Sequence, residues 1–308
     1  MILCCGEALI DMVPKTLDDT PVFAPLSGGA VFNTAISLGR LQAPVALFSG
    51  ISNDLFGNQL VSELKNSAVD TRYLARSNQP TTLAFVRLVD GHAQYTFYDE
   101  NSAGRMVNAD QIPKIDTSID ALYFGGISLC IEPAAETYAQ ALKTLGSDRL
   151  VMVDPNIRQS FIKDAAKYRA RLMDIIQRAD VVKVSDEDLD YIIEGPQSIA
   201  EKFATLKSMG PSIAILTKGS QGADALFGSN QQVSVPAVKS TVADTVGAGD
   251  SFNAGFLKGL IEGDCLSKSE VQSIQGPQVI AALKWATKVA SITVSRSGAN
   301  APWLSELD

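Results

Sequence analysis

Six short, aliphatic runs, at residues 1–5, 45–50, 121–124, 150–153, 181–184 and 213–216, alternate with segments whose apolar residues recur at helical spacing, at 31–41, 56–66, 134–145, 165–178 and 199–209. A strand covered on both faces reads as an unbroken apolar run rather than as an apolar/polar alternation. Strand and helix in repeated succession therefore predict an α/β fold, a mainly parallel central sheet with helices on both faces. The chain has 308 residues, 46% of them hydrophobic, with no internal repeat and no long linker, so one domain spanning 1–308 is expected.

Two stretches break the rhythm, 12–26 and 82–98. The second alternates from Leu83 to Val89 and from Ala93 to Tyr98 around Asp90-Gly91, a hairpin signal. Together they predict a small antiparallel β lid, built discontinuously from about 12–27 and 70–100. It would stand over the carboxyl ends of the strands, where open α/β sheets bind ligands.

Charge narrows the partners. With 34 acidic and 26 basic residues, a formal net charge of −8 and no Lys/Arg-rich run, the chain lacks the basic footprint of a nucleic-acid or anionic-membrane binder. No apolar run approaches the ~18 residues of a spanning helix. Glu7 and Asp11 interrupt the first apolar stretch, which also lacks a basic start, so no secretory leader is expected. Cys4, Cys5, Cys130 and Cys265 show neither CxxC nor zinc-finger spacing, and neighbours on one strand point to opposite faces. Reduced, structural cysteines in a cytoplasmic protein are expected. The single histidine, His92, sits in the hairpin turn, so acid/base chemistry is expected from a carboxylate.

The strongest chemical signal is Asp244-Thr245-Val246-Gly247-Ala248-Gly249-Asp250-Ser251-Phe252, which runs into a helical pattern. Gly247 and Gly249 allow close approach of backbone to a ligand, and a helix opening there directs its unpaired N–H groups and positive dipole end outward. That is an anion hole. Asp250, in the first turn, stands where a general base for phosphoryl transfer to an alcohol is needed; an ordinary glycine loop with an aspartate in its first helical turn is the alternative.

This segment resembles the C-terminal signature of the ribokinase-type (PfkB) carbohydrate kinases. Gly28-Gly29-Ala30-Val31-Phe32-Asn33, followed by Leu38-Gly39, resembles their N-terminal di-glycine signature. The resemblance implies a ribokinase-like fold and transfer of the ATP γ-phosphoryl group to a primary hydroxyl of a small sugar, with Asp250 as base and the Gly247, Ala248 and Gly249 backbone stabilising the phosphates. The opening Gly6-Glu7-Ala8-Leu9-Ile10-Asp11 and the element Asp154-Pro155-Asn156-Ile157-Arg158 look fructokinase-like. They imply that Asp11, Gly28, Gly29, Asn33, Arg158 and Asp250 hold the sugar; Phe97 and Tyr95, alternating on the second lid strand, either pack over the sugar or form the lid's own small core.

Thr217-Lys218-Gly219-Ser220-Gln221-Gly222 resembles the turn beside the triphosphate, implying nucleotide contacts from Thr217, Gly219, Gly222 and Gly249, joined by Lys183 and Ser185. Lys218, in place of a leucine-like residue, can contact phosphate or project to solvent. Magnesium is implied, served through water by Asp188 or by its rival Glu187, since the family's Asn-x-x-Glu element here reads Ser185 to Asp188. Ser295-Arg296-Ser297-Gly298-Ala299 looks like the turn beside a monovalent-cation site, with K+ as the candidate ion and Asp244 as its side-chain neighbour. In relatives the lids can pair into a homodimer. Fructose is the favoured acceptor; 2-keto-3-deoxygluconate, ribose and a nucleoside stay open, as does a sugar-binding regulatory protein that has lost transfer. For a sugar acid, Arg87 and Arg105 are the candidate second cations beside Arg158.

Overall fold

The computed structural model describes residues 1–89 and 92–307, without the side chains of 87–89 and 92–95. The Asp90-Gly91 turn and the side chains of Arg87, His92 and Tyr95 lie outside the described residues. In chain order the strands are β1 (Ile2–Cys5), β2 (Leu9–Leu17), β3 (Thr20–Gly28), β4 (Val45–Phe48), β5 (Gly50–Ser52), β6 (Ala75–Ser77), β7 (Leu83–Val89), β8 (His92–Tyr98), β9 (Ala121–Gly125), β10 (Leu150–Asp154), β11 (Val181–Ser185), β12 (Ile213–Thr217), β13 (Ala223–Phe227) and β14 (Gln231–Val235). The helices are α1 (Ala30–Arg40), α2 (Leu55–Asn66), α3 (Ala134–Leu145), α4 (Ala165–Arg178), α5 (Asp186–Ile192), α6 (Ile199–Ser208), α7 (Ala248–Glu262), α8 (Lys268–Gln272) and α9 (Gly276–Thr293).

The central sheet runs β14-β13-β12-β11-β10-β9-β1-β4, parallel from β4 to β12 and antiparallel at β13 and β14. Alternate residues of each strand feed two cores. Ile2, Cys4, Leu47, Tyr123, Met152 and Ile215 pack under α1, α2, α7 and α9. Leu3, Cys5, Phe48, Phe124, Val153 and Leu216 pack under α3, α4, α5 and α6. The expected α/β architecture is present, and Cys4 and Cys5 do point to opposite faces as free thiols. Among the described residues no helix is long and apolar enough to cross a membrane.

A second sheet, β3-β2-β7-β8, consists of two antiparallel hairpins whose middle strands β2 and β7 run parallel. Asp11 pairs with Ala84 across that junction, and Ala84 with Phe97, so the three side chains form one row on one face. A separate parallel pair, β5 with β6, lies between the two hairpins in sequence.

Helix α7 sits against α9 along a seam of small residues. A Cβ on Gly255 would lie 2.7 Å from the Cα of Ala286, and one on Gly259 would lie 2.5 Å from the Cα of Ala282. Helix backbones this close leave no room for a methyl group. In an open helix Gly→Ala stabilises by about 1 kcal/mol; here Gly255→Ala should instead destabilise by ~1–3 kcal/mol, the cost of overpacking. The denaturant midpoint measures it, and an increase would show that the seam has slack.

Candidate functional site

The carboxyl ends of the parallel strands collect the polar residues. Gly6 and Glu7 follow β1, Asp154 ends β10, Ser185 ends β11 and Thr217 ends β12, and the N-termini of α1 and α7 come down on the same edge. Gly247 caps α7 in the left-handed region, φ 76°, with Ala299 so close that a Cβ would sit 2.6 Å from its methyl carbon. The ladder begins with Ser251 N–H donating to the Gly247 carbonyl at 2.9 Å, so the amides ahead of it have no acceptor within the helix. Asp244 secures the approach: Oδ1 accepts from Val246 N at 3.0 Å and Oδ2 from Gly298 N at 2.8 Å, tying the glycine loop to the 295–299 turn.

A cavity of about 670 Å³ opens in front of this helix start. It brings together Thr217, Gly219, Gly222, Ala248 and Gly249, with Val238, Val242, Phe252 and Ala290 on its apolar wall. Lys218 does not project freely; its Nζ is 2.7 Å from Asp224 Oδ2.

Asp250 lies at the inner end of the same turn, buried, with Oδ2 accepting from Asn33 Nδ2 at 2.9 Å. Thr34 Oγ1 donates to the Asp250 carbonyl at 3.3 Å, so α1 grips α7 through two neighbouring residues. Burial pushes the Asp250 carboxyl up to about 7; the Asn33 bond and Lys183 oppose the rise, and the charges of Asp154 and Glu7 add to it.

Lys183 is buried from the side of β11. Its Nζ is 2.9 Å from Asp154 Oδ2 and would lie 3.4 Å from a Cβ on Gly249, directly beneath the anion hole. Burial works against its charge, but Asp154, Asp188 and Asp250 outweigh it and hold the ammonium form. Asn253, one turn along α7, donates from Nδ2 to Asp154 Oδ2 at 2.7 Å and to the Tyr123 hydroxyl at 2.9 Å. Asp154 and Asn253 are functional-site residues that motif reading passes over. Asp154 lies inside a quoted motif, but its partner at 183 is 29 residues away and its partner at 253 is 99 away.

On the other side of Asp250, Asp11 and Phe97 flank the small, fully buried Ala84 of the second sheet. Burial raises the Asp11 carboxyl to about 6. Gly28 has no room for a Cβ because the Asp11 carboxylate occupies that space, and Gly29 turns the chain at φ 107° into α1, from which Asn33 points at Asp250. Phe97 packs edge-on against Phe161, ring centroids 4.3 Å apart.

Arg158 is not brought to this cluster. It is exposed, and its Nη1 donates to the carbonyls of Asn156 and Ile157 in its own loop at 3.5 and 3.2 Å. Asp188 holds that loop: Oδ1 accepts from Ile157 N at 2.8 Å, while Oδ2 accepts from Ser185 N and Oγ at 3.1 and 2.9 Å, closing the cap of α5. Glu187 beside it is exposed.

A pocket of about 300 Å³ lies behind Phe97, with four cations, Arg105, Lys163, Lys167 and Arg171, against four anions, Asp99, Glu100, Glu132 and Asp164. The arginines are engaged. Arg105 pairs with Asp99 at 3.0 Å and donates to the Glu132 carbonyl at 2.9 Å, while Arg171 pairs with Glu132 and with Glu136.

A model of the pfkB family of carbohydrate kinases matches residues 1–306. A fructokinase of Rhizobium leguminosarum bv. trifolii is 46% identical over 277 residues, covering 89% of this chain and 84% of the relative. A crystal structure of fructokinase with bound ATP from Xylella fastidiosa superposes with a TM-score of 0.89 at 26% identity, over 99% of this chain and 96% of that one. A Vibrio cholerae fructokinase double mutant, solved with fructose, ADP and a potassium ion, gives 0.84 at 25% identity over 97% and 93%.

The burial of Asp250 sets a measurable expectation. A carbon-13 titration of aspartate carboxyls should find one group ionising near pH 7. In Asn33→Ala that transition should move higher, because the bond that favours the carboxylate is gone. A downward move would mean that Asn33 does not serve the ionised form.

Proposed function

The chain belongs to the pfkB family of carbohydrate kinases, and on that premise we propose that it transfers the γ-phosphoryl group of ATP to the primary hydroxyl of fructose, forming fructose 6-phosphate. The observation that carries the reading is the position of Asp250, buried in the first turn of α7, where the Gly249 and Asp250 amides lie ahead of the hydrogen-bonded ladder, with Asn33 of α1 donating to its carboxylate. A carboxylate ionising near 7 in such a place can take a proton from an alcohol and release it at neutral pH. In this reading Asp11, Gly28, Gly29, Asn33 and Phe97 hold the sugar, with Arg158 as the cation assigned to the same substrate. The Gly247, Ala248 and Gly249 backbone, with Lys183 beneath it, steadies the transferring phosphates.

Thr217, Gly219 and Gly222 line the large cavity and face the nucleotide, whose base its apolar wall suits; Ser185, at the end of β11, is assigned to the same ligand although it does not line that cavity. Magnesium, bound with the nucleotide, neutralises phosphate charge. Glu187, exposed beside Ser185, and Asp188, which keeps spare lone pairs beyond its backbone contacts, suit contact through water. A potassium ion beside Asp244 belongs to the same reading, since each of its oxygens accepts one amide and has a lone pair left. Residues 12–27 and 70–100 act as a lid on the single domain 1–308. Pairing of lids between two copies is supported by the half-exposed Phe23 and Tyr98, which stack edge-on to Phe85. The enzyme works in the cytoplasm, where ATP is supplied and four free cysteines stay reduced.

A neutral sugar is favoured over a sugar acid. Arg105, a cation that could meet a substrate carboxylate near Phe97, is already neutralised by Asp99. ADP release with Mg-ATP should therefore be fastest with fructose and slow with 2-keto-3-deoxygluconate; the reverse order would overturn the assignment. Asp250→Asn should lower kcat by at least ~100-fold, in line with general-base catalysis, with fructose affinity nearly unchanged. In the native enzyme kcat should fall as pH drops below about 7, as Asp250 takes up its proton. Undiminished turnover in the Asn variant would remove Asp250 from the chemistry.

A further inference from the structure

Glu7 is a buried carboxylate with no part in the scheme above, yet the elements around the site are built on it. It follows β1, and each of its oxygens accepts a backbone amide from a different segment. Oε1 accepts from Ala30 N, the first residue of α1, at 3.0 Å. Oε2 accepts from Ser128 N, in the short 3-10 turn Gly126–Leu129 after β9, at 3.2 Å. The Glu7 carbonyl accepts from Phe32 N at 3.2 Å, so both ends of the residue hold the first turn of α1. The packing leaves no slack. Gly29 and Gly126 both have positive φ, and a Cβ on Gly126 would strike the Glu7 carboxylate, while one on Gly29 would lie 3.0 Å from the Glu7 carbonyl oxygen.

We propose that Glu7 is a positioning residue for phosphoryl transfer: by clamping the Gly29–Ala30 turn to the segment after β9 it fixes the start of α1, and so the placement of Asn33 against Asp250. The inference rests on the kinase reading above. The start of α1 and a second backbone amide, from the 3-10 turn, both donate to this one carboxylate, which is why an anion, rather than a neutral amide, suits the place. Glutamine is nearly isosteric, but its NH2 group would face one of the two amides donor to donor.

Three readouts separate positioning from mere support of the fold. In Glu7→Gln, kcat with fructose should fall about tenfold or more, the scale of a lost charge-assisted bond. KM for ATP should stay within about twofold, because the large cavity lies on the other side of Asp250. The acidic limb of the kcat–pH profile should move to higher pH, as in Asn33→Ala, because the weakened Asn33 bond acts on Asp250 more strongly than the removed Glu7 charge. The charged and titratable groups around Asp250 are Asp154 from β10, Lys183 from β11, Tyr123 from β9 and Glu7 itself, and of these only the Glu7 charge is removed. The groups facing Glu7 besides Asp250 are Tyr138 and Cys130, both held neutral by burial, and the mutually paired Arg105 and Asp99, which line the same small cavity.

Glu7→Asp keeps the charge and loses the reach, so kcat should fall and the limb should move to higher pH through the weakened Asn33 bond alone; this variant carries the test if the glutamine form does not fold. A folded variant with native kcat and a native pH profile, whatever its melting temperature, overturns the inference. Absence of phosphorylation by the native protein, measured in parallel, would instead overturn the kinase reading itself.

Discussion

Asp250 must ionise where little water reaches it, and the surrounding elements are arranged around that fact. Helix α7 brings the positive end of its dipole and unpaired amides. Helix α1 supplies the Asn33 donor, and β11 delivers Lys183 already balanced by Asp154. An isolated carboxylate at this depth would stay protonated; this one is held near the neutral range by a short set of opposing contacts. Two of the three, Asn33 and the helix start, belong to segments more than 200 residues apart, and their meeting depends on the order of strands in the central sheet.

The strands themselves, though not their order, were legible in the sequence because buried parallel strands are written as local aliphatic runs. The glycine turns were legible for a related reason: Gly29 and Gly247 occupy backbone conformations other residues resist, and the requirement is local. What escaped was of two kinds. Strand β14 is an edge strand with exposed glutamines, and α9 carries small and apolar residues with little contrast between its faces, so neither leaves a clear periodic mark. Glu7, Asp154 and Asn253 draw their importance from partners 23 to 130 residues away, and no spacing rule reports such pairs. Asp188 is the intermediate case, since its position in a motif was visible but its hold on Ile157 was not.

Charge compensation beside Phe97 shows why counting cations in a sequence says little about a substrate. The pocket there contains four of them, a tempting anion site on residue types alone. The same space holds four acids, and Arg105 and Arg171 are spent on fixing the 99–105 segment and the start of α3. Structural ion pairs of this sort orient a wall without offering a net charge to a ligand, which suits recognition by hydroxyl hydrogen bonds and shape.

The small sheet is joined across its middle by the parallel pairing of β2 with β7, so its two hairpins form one plate although they are separated in sequence by α1, α2 and the β5–β6 pair. Displacement of either hairpin draws the other with it. The free tip of the first hairpin, at Asp18 and Asp19 with both residues exposed and at positive φ, lies beyond that junction. It is therefore the place where a reporter group or a new chain break could be engineered into the plate without disturbing the row of Asp11, Ala84 and Phe97.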